Sequence, residues 1–428
     1  MTNAKWGRAV SWIAVVSSAV LMVACNGGGG GNGNDGSGNG GPFAGGFVGL
    51  ANVELNTTTC GECHPTEQGN WEQTAHAHAF QTLDAIHQSD PSQPCGVCHN
   101  VDEKGNDLTD PTVGWPGTPV AALRNVQCEN CHGPGAQHIA DHKLHPEATL
   151  AVSTTTGCGE CHQGEHHPFV EEWMQSAHAN SNHTGAELGL NVAGDPECAP
   201  CHVAQSFIAF IKSGGSDRLI VDDPQPITCP ACHDPHGNGH TAQLRQLPDT
   251  PIVCGQCHQS GPTDINGAPH HPQLDMLLGT GGFRFPGEEF PGAATHGNTD
   301  RNPDLCANCH IVTEPGVSGP VSIPAETGHT FDPLPVDPIT GQRNFSKCLE
   351  CHSDPASILD PHQQQVQSLI DQLQAAVDAV PADKRDNDTY KGAVFNLNFV
   401  VADKSVGVHN PALTLQLLQV SIAKVQAL

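Results

Sequence analysis

The sequence predicts a mainly α-helical fold with extensive loops, little or no sheet, and a helical C-terminal segment. Apolar residues make up 37% of the 428 residues and aromatic residues only 4%, which is too little bulky material for an ordinary core of this size. The 47 Gly and 34 Pro favour loops and short helices. Apolar residues recur at helical spacing mainly after about Asp360. Something other than side chains must therefore supply apolar volume over most of the chain.

The N-terminus has the pattern of an export signal. Lys5 and Arg8 precede an apolar stretch, and residues 22–25 read Met-Val-Ala-Cys. This run resembles a bacterial lipobox, in which a signal peptidase cuts before a cysteine that carries the lipid. We expect residues 1–24 to be a lipoprotein signal peptide and Cys25 to be lipidated, with an ordinary signal peptide and an unused thiol as the alternative. Asn26 follows the cysteine, which in that family favours transport to the outer membrane.

The segment after Cys25 has a different composition. Residues 26–50 are nearly all Gly, Asn, Ser and Asp. Such a segment behaves as a flexible coil because it offers little apolar surface to bury. We expect residues 25–50 to form a lipid-bearing, Gly-rich tether and the folded region to begin at about residue 51.

The remaining cysteines carry the chemistry. Apart from Cys25, every cysteine lies in a CxxCH pentapeptide, and we number these motifs 1–9 in chain order. Two thiols three positions apart can reach the two vinyl groups of one haem, and the imidazole that follows binds the iron. The motifs are Cys60/Cys63/His64, Cys95/Cys98/His99, Cys128/Cys131/His132, Cys158/Cys161/His162, Cys198/Cys201/His202, Cys229/Cys232/His233, Cys254/Cys257/His258, Cys306/Cys309/His310 and Cys348/Cys351/His352.

Other uses of paired cysteines fit this pattern poorly. Zinc ribbons have no need for a histidine directly after each second cysteine. Thioredoxin-like motifs occur once per domain in a βαβ context, and a disulfide scaffold would not confine its cysteines to one pentapeptide. The sequence therefore predicts nine covalently bound haem c groups, which would also replace the missing core.

Each haem iron has a second axial position to fill. Eighteen histidines lie outside the motifs, whereas only Met174 and Met276 follow the signal peptide as thioethers. Most haems are therefore predicted to be bis-histidine and low in potential, with no open position for a substrate. Matched positions and short Gly/Pro or apolar contexts select the distal candidates His76, His138, His167, His178, His236, His271, His296 and His329.

The motifs form an internal repeat. Motifs 1 and 4 both read Cys-Gly-Glu-Cys-His and are followed by Trp-x-x-x-Ala-His, which ends at His76 and His178. A looser third triplet begins at motif 7. We predict three trihaem units, about 51–150, 151–245 and 246–356. Trp71 and Trp173 either pack on haem faces or anchor a short helix.

The C-terminal segment, 357–428, has its own pattern. Val366, Leu369 and Leu373 recur at helical spacing, as do Leu415 and Leu418. We expect three helices that pack together as a cap or an oligomer contact.

Two short runs resemble a known superfamily. Cys232-His-Asp-Pro-His236 and Gly407-Val-His409-Asn-Pro411 are similar to segments of the multihaem cytochromes that include pentahaem nitrite reductase, hydroxylamine oxidoreductase, octahaem reductases and their tetrahaem partner. The resemblance implies that His236 ligates a neighbouring haem and that His409 is a distal ligand where a long C-terminal helix opens. The catalytic devices of that group are largely missing, because no CxxCK motif occurs and the one tyrosine, Tyr390, lies in the helical tail.

These features favour an electron carrier over an enzyme. The formal charge of −28 disfavours nucleic acid and anionic headgroups. We expect an outer-membrane lipoprotein on the periplasmic or cell-surface face, which relays electrons to an external acceptor. Its expected partners are other cytochromes or a porin–cytochrome conduit, together with the membrane that holds its lipid.

Two other functions remain open. One is a reductase of a nitrogen or sulfur oxyanion at one pentacoordinate haem, for which motifs 2 and 5, at Cys95 and Cys198, have the least obvious distal ligands. The other is a homo-oligomer or polymerising filament subunit, which the surplus histidines allow.

Overall fold

The computed structural model describes residues 46–49, 51–52, 57–83, 98–101, 123–164, 167–182, 184–185, 190–245, 247, 252–260, 265–316, 325–337 and 339–428. The predicted signal peptide, the lipidation site Cys25, most of the predicted tether, and Cys95 of motif 2 lie outside these residues. The described residues belong to one unit, Pro42–Leu428. Within this part of the chain, no helix combines the length and the hydropathy that a bilayer span requires.

The part of the chain that carries the motifs consists of short helices and loops. Five of the described helices overlap a CxxCH motif, and α2 and α9 each contain a whole one. The described α-helices here are α1 (Pro65–Trp71), α2 (Cys128–His132), α3 (Ala136–Ala140), α4 (Phe169–Gln175), α5 (Ala199–His202), α6 (Ala204–Lys212), α7 (Cys229–Cys232), α8 (Gln273–Leu278), α9 (Cys306–His310) and α10 (Ser346–Leu349).

Short 3₁₀ turns and two minimal ladders complete this region. The 3₁₀ turns are Cys60–Glu62, His76–Thr82, Gly157–Glu160, Ala177–Asn180, Val192–Gly194, Thr241–Gln243, Val253–Gln256 and Thr295–Gly297. Strands β1 (Ala51–Asn52) and β2 (Thr57–Thr58) pair antiparallel, with Ala51 opposite Thr58, and β3 (Thr184–Gly185) and β4 (Leu190–Asn191) pair antiparallel, with Thr184 opposite Asn191. The prediction of a mainly helical fold with little sheet is confirmed.

Three long helices form the C-terminal segment, as predicted. They are α11 (Pro355–Ala379), α12 (Asp388–Asp403) and α13 (Pro411–Gln426), with a 3₁₀ turn at Ala382–Lys384. Asn387 and Asn410 cap α12 and α13 by accepting hydrogen bonds from the backbone N–H groups of Tyr390 and Leu413. Pro411 occupies the first turn of α13, where no hydrogen-bond donor is needed.

The apolar core is concentrated at this C-terminal end. Its largest cluster joins all three long helices through buried residues that include Leu373, Phe399 and Leu417, and it also takes in Met276 of α8. A second cluster around Phe207 and Ile227 lies among motifs 5–8. The other described clusters hold two or three buried residues each. Most of the motif region is therefore built without a large side-chain core.

The folded region extends into the predicted tether. Phe47 is buried with Val101 and Leu123. The backbone N–H groups of Val48 and Gly49 donate to the buried carboxylate of Glu129 at 2.7–3.0 Å. Phe47 supplies the apolar side chain at this contact, so residues 46–49 belong to the folded region. The predicted boundary at residue 51 is therefore a few residues too late.

The repeat seen in the sequence is also a structural repeat. The indole Nε1 of Trp71 donates to the carbonyl oxygen of Val126 at 3.0 Å, and that of Trp173 donates to Ile227 at 2.9 Å. Each acceptor lies two residues before the third motif of its unit. Both indoles are buried, so each tryptophan joins the helix after the first motif to the approach of the third. Of the two predicted roles, these bonds favour the anchoring one.

Candidate haem-iron centres

The imidazoles of eight motif histidines lie opposite a second imidazole. The ring centroids are 6.0–6.3 Å apart in the pairs His64–His138, His132–His236, His162–His76, His202–His270, His202–His271, His233–His329, His258–His178, His310–His409 and His352–His296. The spacing is the same in every pair, although the elements that carry the rings differ.

This spacing fits a metal ion held between two imidazoles. A metal–imidazole bond is about 2 Å long and a ring centroid lies roughly 1 Å behind its nitrogen, so rings on opposite sides of one ion have centroids about 6 Å apart. The same spacing also occurs between His138 and its neighbours His142 and His145, so the pairs above are distinguished by the motif histidine in each of them as well as by the distance. The residues present therefore fit bis-histidine haem sites.

The orientation of the imidazoles also fits ligation. Nδ1 lies 2.6–2.9 Å from a backbone carbonyl oxygen in His99, His132, His138, His202, His233, His296 and His310. A carbonyl oxygen only accepts, so Nδ1 carries the proton and Nε2 keeps a free lone pair. Such outer contacts fix the tautomer and the ring plane of metal-binding histidines.

Two other histidines are turned the opposite way. Nε2 of His78 lies 3.1 Å from the carbonyl oxygen of Glu72, and Nε2 of His362 lies 3.2 Å from that of Gly407. The nitrogen that would bind an iron is occupied in both. These two histidines were not among the predicted ligands.

Six of the nine pairs cross the boundaries between the predicted trihaem units; two of these are the pairs of His202 with His270 and His271, and the other four form two reciprocal sets. His76 and His236 face motif histidines of the adjoining unit, His162 and His132 respectively. The second and third units are joined in the same way, because His178 of the second unit faces His258 of the third and His329 of the third unit faces His233 of the second. The units are therefore joined reciprocally, because each supplies an imidazole to its neighbour and receives one in return.

Close packing between repeats brings His236 to His132. Gly237 has φ of +87°, and a Cβ there would lie 2.7 Å from the carbonyl oxygen of Asn70 in α1. Only glycine combines this left-handed conformation with so close an approach. The turn that carries His236 can therefore lie directly against the first unit.

A buried carboxylate positions His329 in a similar way. Glu172 of α4 accepts hydrogen bonds from the N–H and hydroxyl groups of Thr327 and from the N–H of His329, at 2.6–2.8 Å. The contact joins the second unit to the third at the point where His329 faces His233. Glu172 was not singled out from the sequence, because a glutamate in a short helix carries no signal of a partner that distant.

Burial keeps several of these imidazoles neutral. Burial, followed by the neighbouring imidazoles, lowers the pKa of His162 to about 4. Burial and then His258 lower the pKa of His178 to about 4. A neutral imidazole is the form that binds a metal.

The imidazole of His409 has a different outer partner. Its Nδ1 lies 2.6 Å from Oδ1 of Asp403, a carboxylate that is 2% exposed. Burial acts to lower the pKa of His409, but the hydrogen bond and charge of Asp403 outweigh it and raise the pKa. A carboxylate partner makes a ligating histidine more basic than a backbone carbonyl does. Asp403 could have been suspected from its position at the end of α12, directly before the turn that carries His409.

Some of the predicted ligands lie in other surroundings. The ring of His167 stacks on Phe169, with centroids 6.4 Å apart. His99 of motif 2 faces no histidine ring at the pair spacing among the described residues. Met174 is exposed, and Met276 is buried in the C-terminal core, where the Thr414 hydroxyl lies 3.5 Å from its sulfur. His271 lies opposite His202, but His270, which was not predicted, does so as well.

Four of the predicted haem-binding cysteines lie at the protein surface. Cys63, Cys131, Cys309 and Cys351 are exposed, whereas the other described motif cysteines are partly buried. Each is the second cysteine of its motif, in motifs 1, 3, 8 and 9. A haem attached at Cys63 or Cys351 would have that edge close to solvent.

Thiols of different motifs lie next to each other in five places among the described residues. The pairs are Cys60 with Cys128, Cys98 with Cys161, Cys158 with Cys229, Cys201 with Cys257, and Cys254 with Cys306. The contacts join motifs 1–3, 2–4, 4–6, 5–7 and 7–8. The contact between motifs 1 and 3 has its equivalent one repeat later between motifs 4 and 6, and the contact between motifs 2 and 4 has its equivalent between motifs 5 and 7. The arrangement of neighbouring motifs therefore follows the sequence repeat.

Family models match two parts of the chain. The model of cytochrome c554 and c-prime matches residues 59–133, and the model of the doubled CXXCH motif matches residues 224–263. The multiheme cytochrome MtrA of Shewanella baltica is 29% identical over 181 residues, which cover 38% of this chain and 51% of that protein. Cytochrome c-554 of Nitrosomonas europaea is 28% identical over 105 residues, which cover 21% of this chain and 42% of that protein. The chain thus spans about half the length of the relatives it matches.

Solved structures extend the likeness over most of the fold. The outer cell wall cytochrome OcwA matches with a TM-score of 0.56 at 22% identity, covering 78% of this chain and 76% of that one. The undecaheme cytochrome from the S-layer of Carboxydothermus ferrireducens matches with a TM-score of 0.55 at 22% identity, covering 81% and 56%.

The short helices wrapped around CxxCH motifs, with paired imidazoles between them, define a cytochrome that binds several haems. Together with the matches, they make the chain similar to multihaem c-type cytochromes, whose cofactor is haem c.

Proposed function

We propose that the chain carries nine haem c groups, one at each CxxCH motif, and that it transfers electrons between redox partners. Haem iron supplies the chemistry by cycling between its ferric and ferrous states. The two cysteines of each motif would hold the haem by thioether bonds, and two imidazoles would hold the iron in most of them. A six-coordinate iron leaves no position for a substrate, which favours electron transfer over catalysis.

The observation that carries this proposal is the set of paired imidazoles. Eight of the nine motif histidines have a partner at the spacing of a bis-histidine site. The same pairs support the distal roles of His76, His138, His178, His236, His296, His329 and His409. For His167 the support comes from the repeat alone, because its position in a His-His-Pro run matches that of His271.

The thiol contacts support an order for the centres. In addition to the five thiol pairs, Cys131 lies near Cys158, Cys232 near Cys257, and Cys309 near Cys348. These neighbours give a path through motifs 1, 3, 4, 6, 7, 8 and 9. Motifs 2 and 5 join it as side branches, at motifs 4 and 7. We therefore propose a branched relay rather than a single line.

The exposed thiols support exits at both ends of this path. Motifs 1 and 9 are its first and last centres, and their second cysteines, Cys63 and Cys351, are exposed. A haem edge near solvent can approach a redox partner more closely than an enclosed one. We therefore propose that electrons enter and leave at these two ends.

We place this relay at the cell surface. Two proteins of similar structure are an outer cell wall cytochrome and a cytochrome from an S-layer. The lipobox-like run that ends at Cys25 would anchor the chain to the outer membrane, and the tether would hold it off the lipid. The acidic composition favours neutral or cationic partners, such as other cytochromes or a porin–cytochrome conduit.

The cofactor count and the ligation can be tested together. Intact mass and pyridine-haemochrome absorbance of the purified protein should give nine haems per chain, and the ferric electron paramagnetic resonance spectrum should be almost entirely low-spin. A mass equal to the bare polypeptide would overturn the proposal. A lipid-modified Cys25 should be found by mass spectrometry of the N-terminal peptide, and Cys25→Ala should release the protein from membranes.

A second function rests on the sequence alone. Motif 2 has no obvious distal ligand in the sequence, so its haem is the place where a reductase of a nitrogen or sulfur oxyanion would have an open iron. Such an enzyme would show one high-spin haem in the oxidised state and would turn over nitrite, hydroxylamine or tetrathionate. If neither the high-spin signal nor turnover is found, the electron-transfer proposal stands alone.

A further inference from the structure

The motif 5 site differs from every other paired site. Three imidazoles meet there, because His202 faces both His270 and His271. One ligand nitrogen from each of the three lies within 4.8 Å of the other two, and no other set of three histidine, cysteine or acidic ligands among the described residues is so close. A bis-histidine iron needs only one of the two.

Both candidates fit the position opposite His202. The His270 ring lies 6.3 Å from it with an interplanar angle of 25°, and the His271 ring lies 6.1 Å from it at 51°. Both distances fall within the range of the other pairs. Distance therefore does not choose between these two histidines.

Neither candidate is fixed by an outer hydrogen bond. The described residues provide no hydrogen-bond acceptor to Nδ1 of His270 or His271, whereas His138, His296, His329 and His409 at other sites each have one. His270 is exposed. Without such a bond a ring can turn and change its direction of ligation at little cost.

The backbone adds to the contrast. His271 has φ of +53°, in the left-handed region that non-glycine residues rarely adopt. A conformation of this kind costs on the order of 1–3 kcal/mol and persists only where the surroundings enforce it. If His270 were the ligand, His271 would not need to hold its ring at the iron. The backbone strain at His271 therefore disfavours His271 as a fixed ligand.

We infer that the motif 5 haem has an exchangeable distal ligand, which either His270 or His271 can supply. The inference rests on the proposed attachment of haem at Cys198 and Cys201. Exchange would replace one neutral imidazole with another, so the charge of the ligand set would not change. Among the described residues, each of the other paired motif histidines has one imidazole at the 6.0–6.3 Å pair spacing, whereas His202 has two.

The test is the spin state of variants. We expect His270→Ala and His271→Ala each to keep all haems low-spin in the ferric electron paramagnetic resonance spectrum, because the remaining histidine takes the position. The double variant should show one high-spin haem per chain, which added imidazole converts back to low-spin. His329→Ala, which removes the one partner of His233, is the matched control and should give one high-spin haem by itself.

The outcomes separate this inference from the proposed function. One high-spin haem in either single variant would mean a fixed ligand and would overturn the inference, as would a fully low-spin double variant. If the alanine double variant is recovered with fewer haems, His270→Gln with His271→Gln keeps the side-chain volume and answers the same question. An unaltered protein that lacks haem would instead refute the proposed function.

Discussion

The motif region, 57–352, and the C-terminal helices, 355–428, are built on different principles. The C-terminal helices enclose a continuous cluster of Leu, Val and Phe side chains. The motif region has small clusters, several of which include the motif cysteines themselves, and its long-range order lies in imidazole pairs and a few buried carboxylates. The C-terminal helices are held together by apolar packing. The motif region depends on the group that its paired imidazoles would bind.

The difference shows how a chain with few aromatic residues can fold at this length. A paired imidazole at about 6 Å has no side chain between the rings to pack against. If the haem fills that space, each cofactor contributes both the apolar volume and the cross-link. Stability and function then have the same origin in the motif region, whereas they are separate in the C-terminal helices.

The largest expected effect comes from withholding haem. Apoprotein expressed without the cytochrome c maturation system should lose the ordered motif region but keep helical structure at the C-terminus, because only the latter has its own core. Limited proteolysis with mass spectrometry should leave a protected fragment that contains residues 355–428, while the holoprotein resists cleavage throughout. Equal protection of both regions in the apoprotein would show that the motif region does not depend on haem for its folding.

A core substitution should act on the other region alone. Leu417→Ala removes a fully buried side chain from α13 and should lower the free energy of unfolding by about 2–5 kcal/mol. Thermal unfolding followed by far-ultraviolet circular dichroism measures the loss, and the ferric spin states should not change. Val401→Ala, at a side chain that is 52% exposed, is the control and should have little effect. A change in haem ligation in Leu417→Ala would show that the two regions are not independent.

Asp403 should tune one haem where the two regions meet. Asp403→Asn removes the negative charge beside Nδ1 of His409, so this ligand becomes less basic and favours ferric iron less. If the ratio of the affinities of His409 for ferric and ferrous iron falls tenfold, the one-electron reduction potential rises by about 59 mV. A spectroelectrochemical titration should find one haem shifted upward by about this amount and the others unchanged.

The control for this change is a carboxylate away from the motifs. Asp386→Asn breaks an exposed ion pair with Lys391 and should leave every potential as it was. If Asp403→Asn lowers a potential or shifts none, the carboxylate does not act through His409.

The smallest expected effects are at the two repeated tryptophans. Trp71→Phe and Trp173→Phe each remove one hydrogen bond to a backbone carbonyl and should cost about 1 kcal/mol each in urea unfolding. The two effects should be similar, because the contacts are equivalent in the repeat. A shift in the haem absorption spectrum of either variant would instead support packing on a haem face.

Much of the architecture follows from the sequence because its signals are local. A CxxCH pentapeptide carries the cysteines and the proximal histidine within five residues, and helical periodicity is visible in a short window, as at Val366, Leu369 and Leu373. Matched positions in the repeat also selected His76 and His178, which lie at the pair spacing in the structure. The number of haems and the boundaries of the trihaem units stay predictions.

The features that the sequence did not reveal are contacts between distant segments. Local context marked His236 and His329 as candidates but did not indicate that their partners belong to neighbouring repeats. The carboxylates of Glu129, Glu172 and Asp403 are set by three-dimensional packing, as are the competition of His270 with His271 and the exposure of Cys63 and Cys351. The apolar pair Phe47-Val48 was the signal that the folded region begins before residue 51.

The pairing of imidazoles across repeats would also affect how the protein is assembled during export. In a chain that crosses a membrane from its N-terminus, motif 3 would emerge well before His236, and motif 6 well before His329. A haem at either motif would have one protein ligand until the next repeat emerged. We therefore expect a chain truncated between repeats to carry a haem with a single histidine ligand at its end.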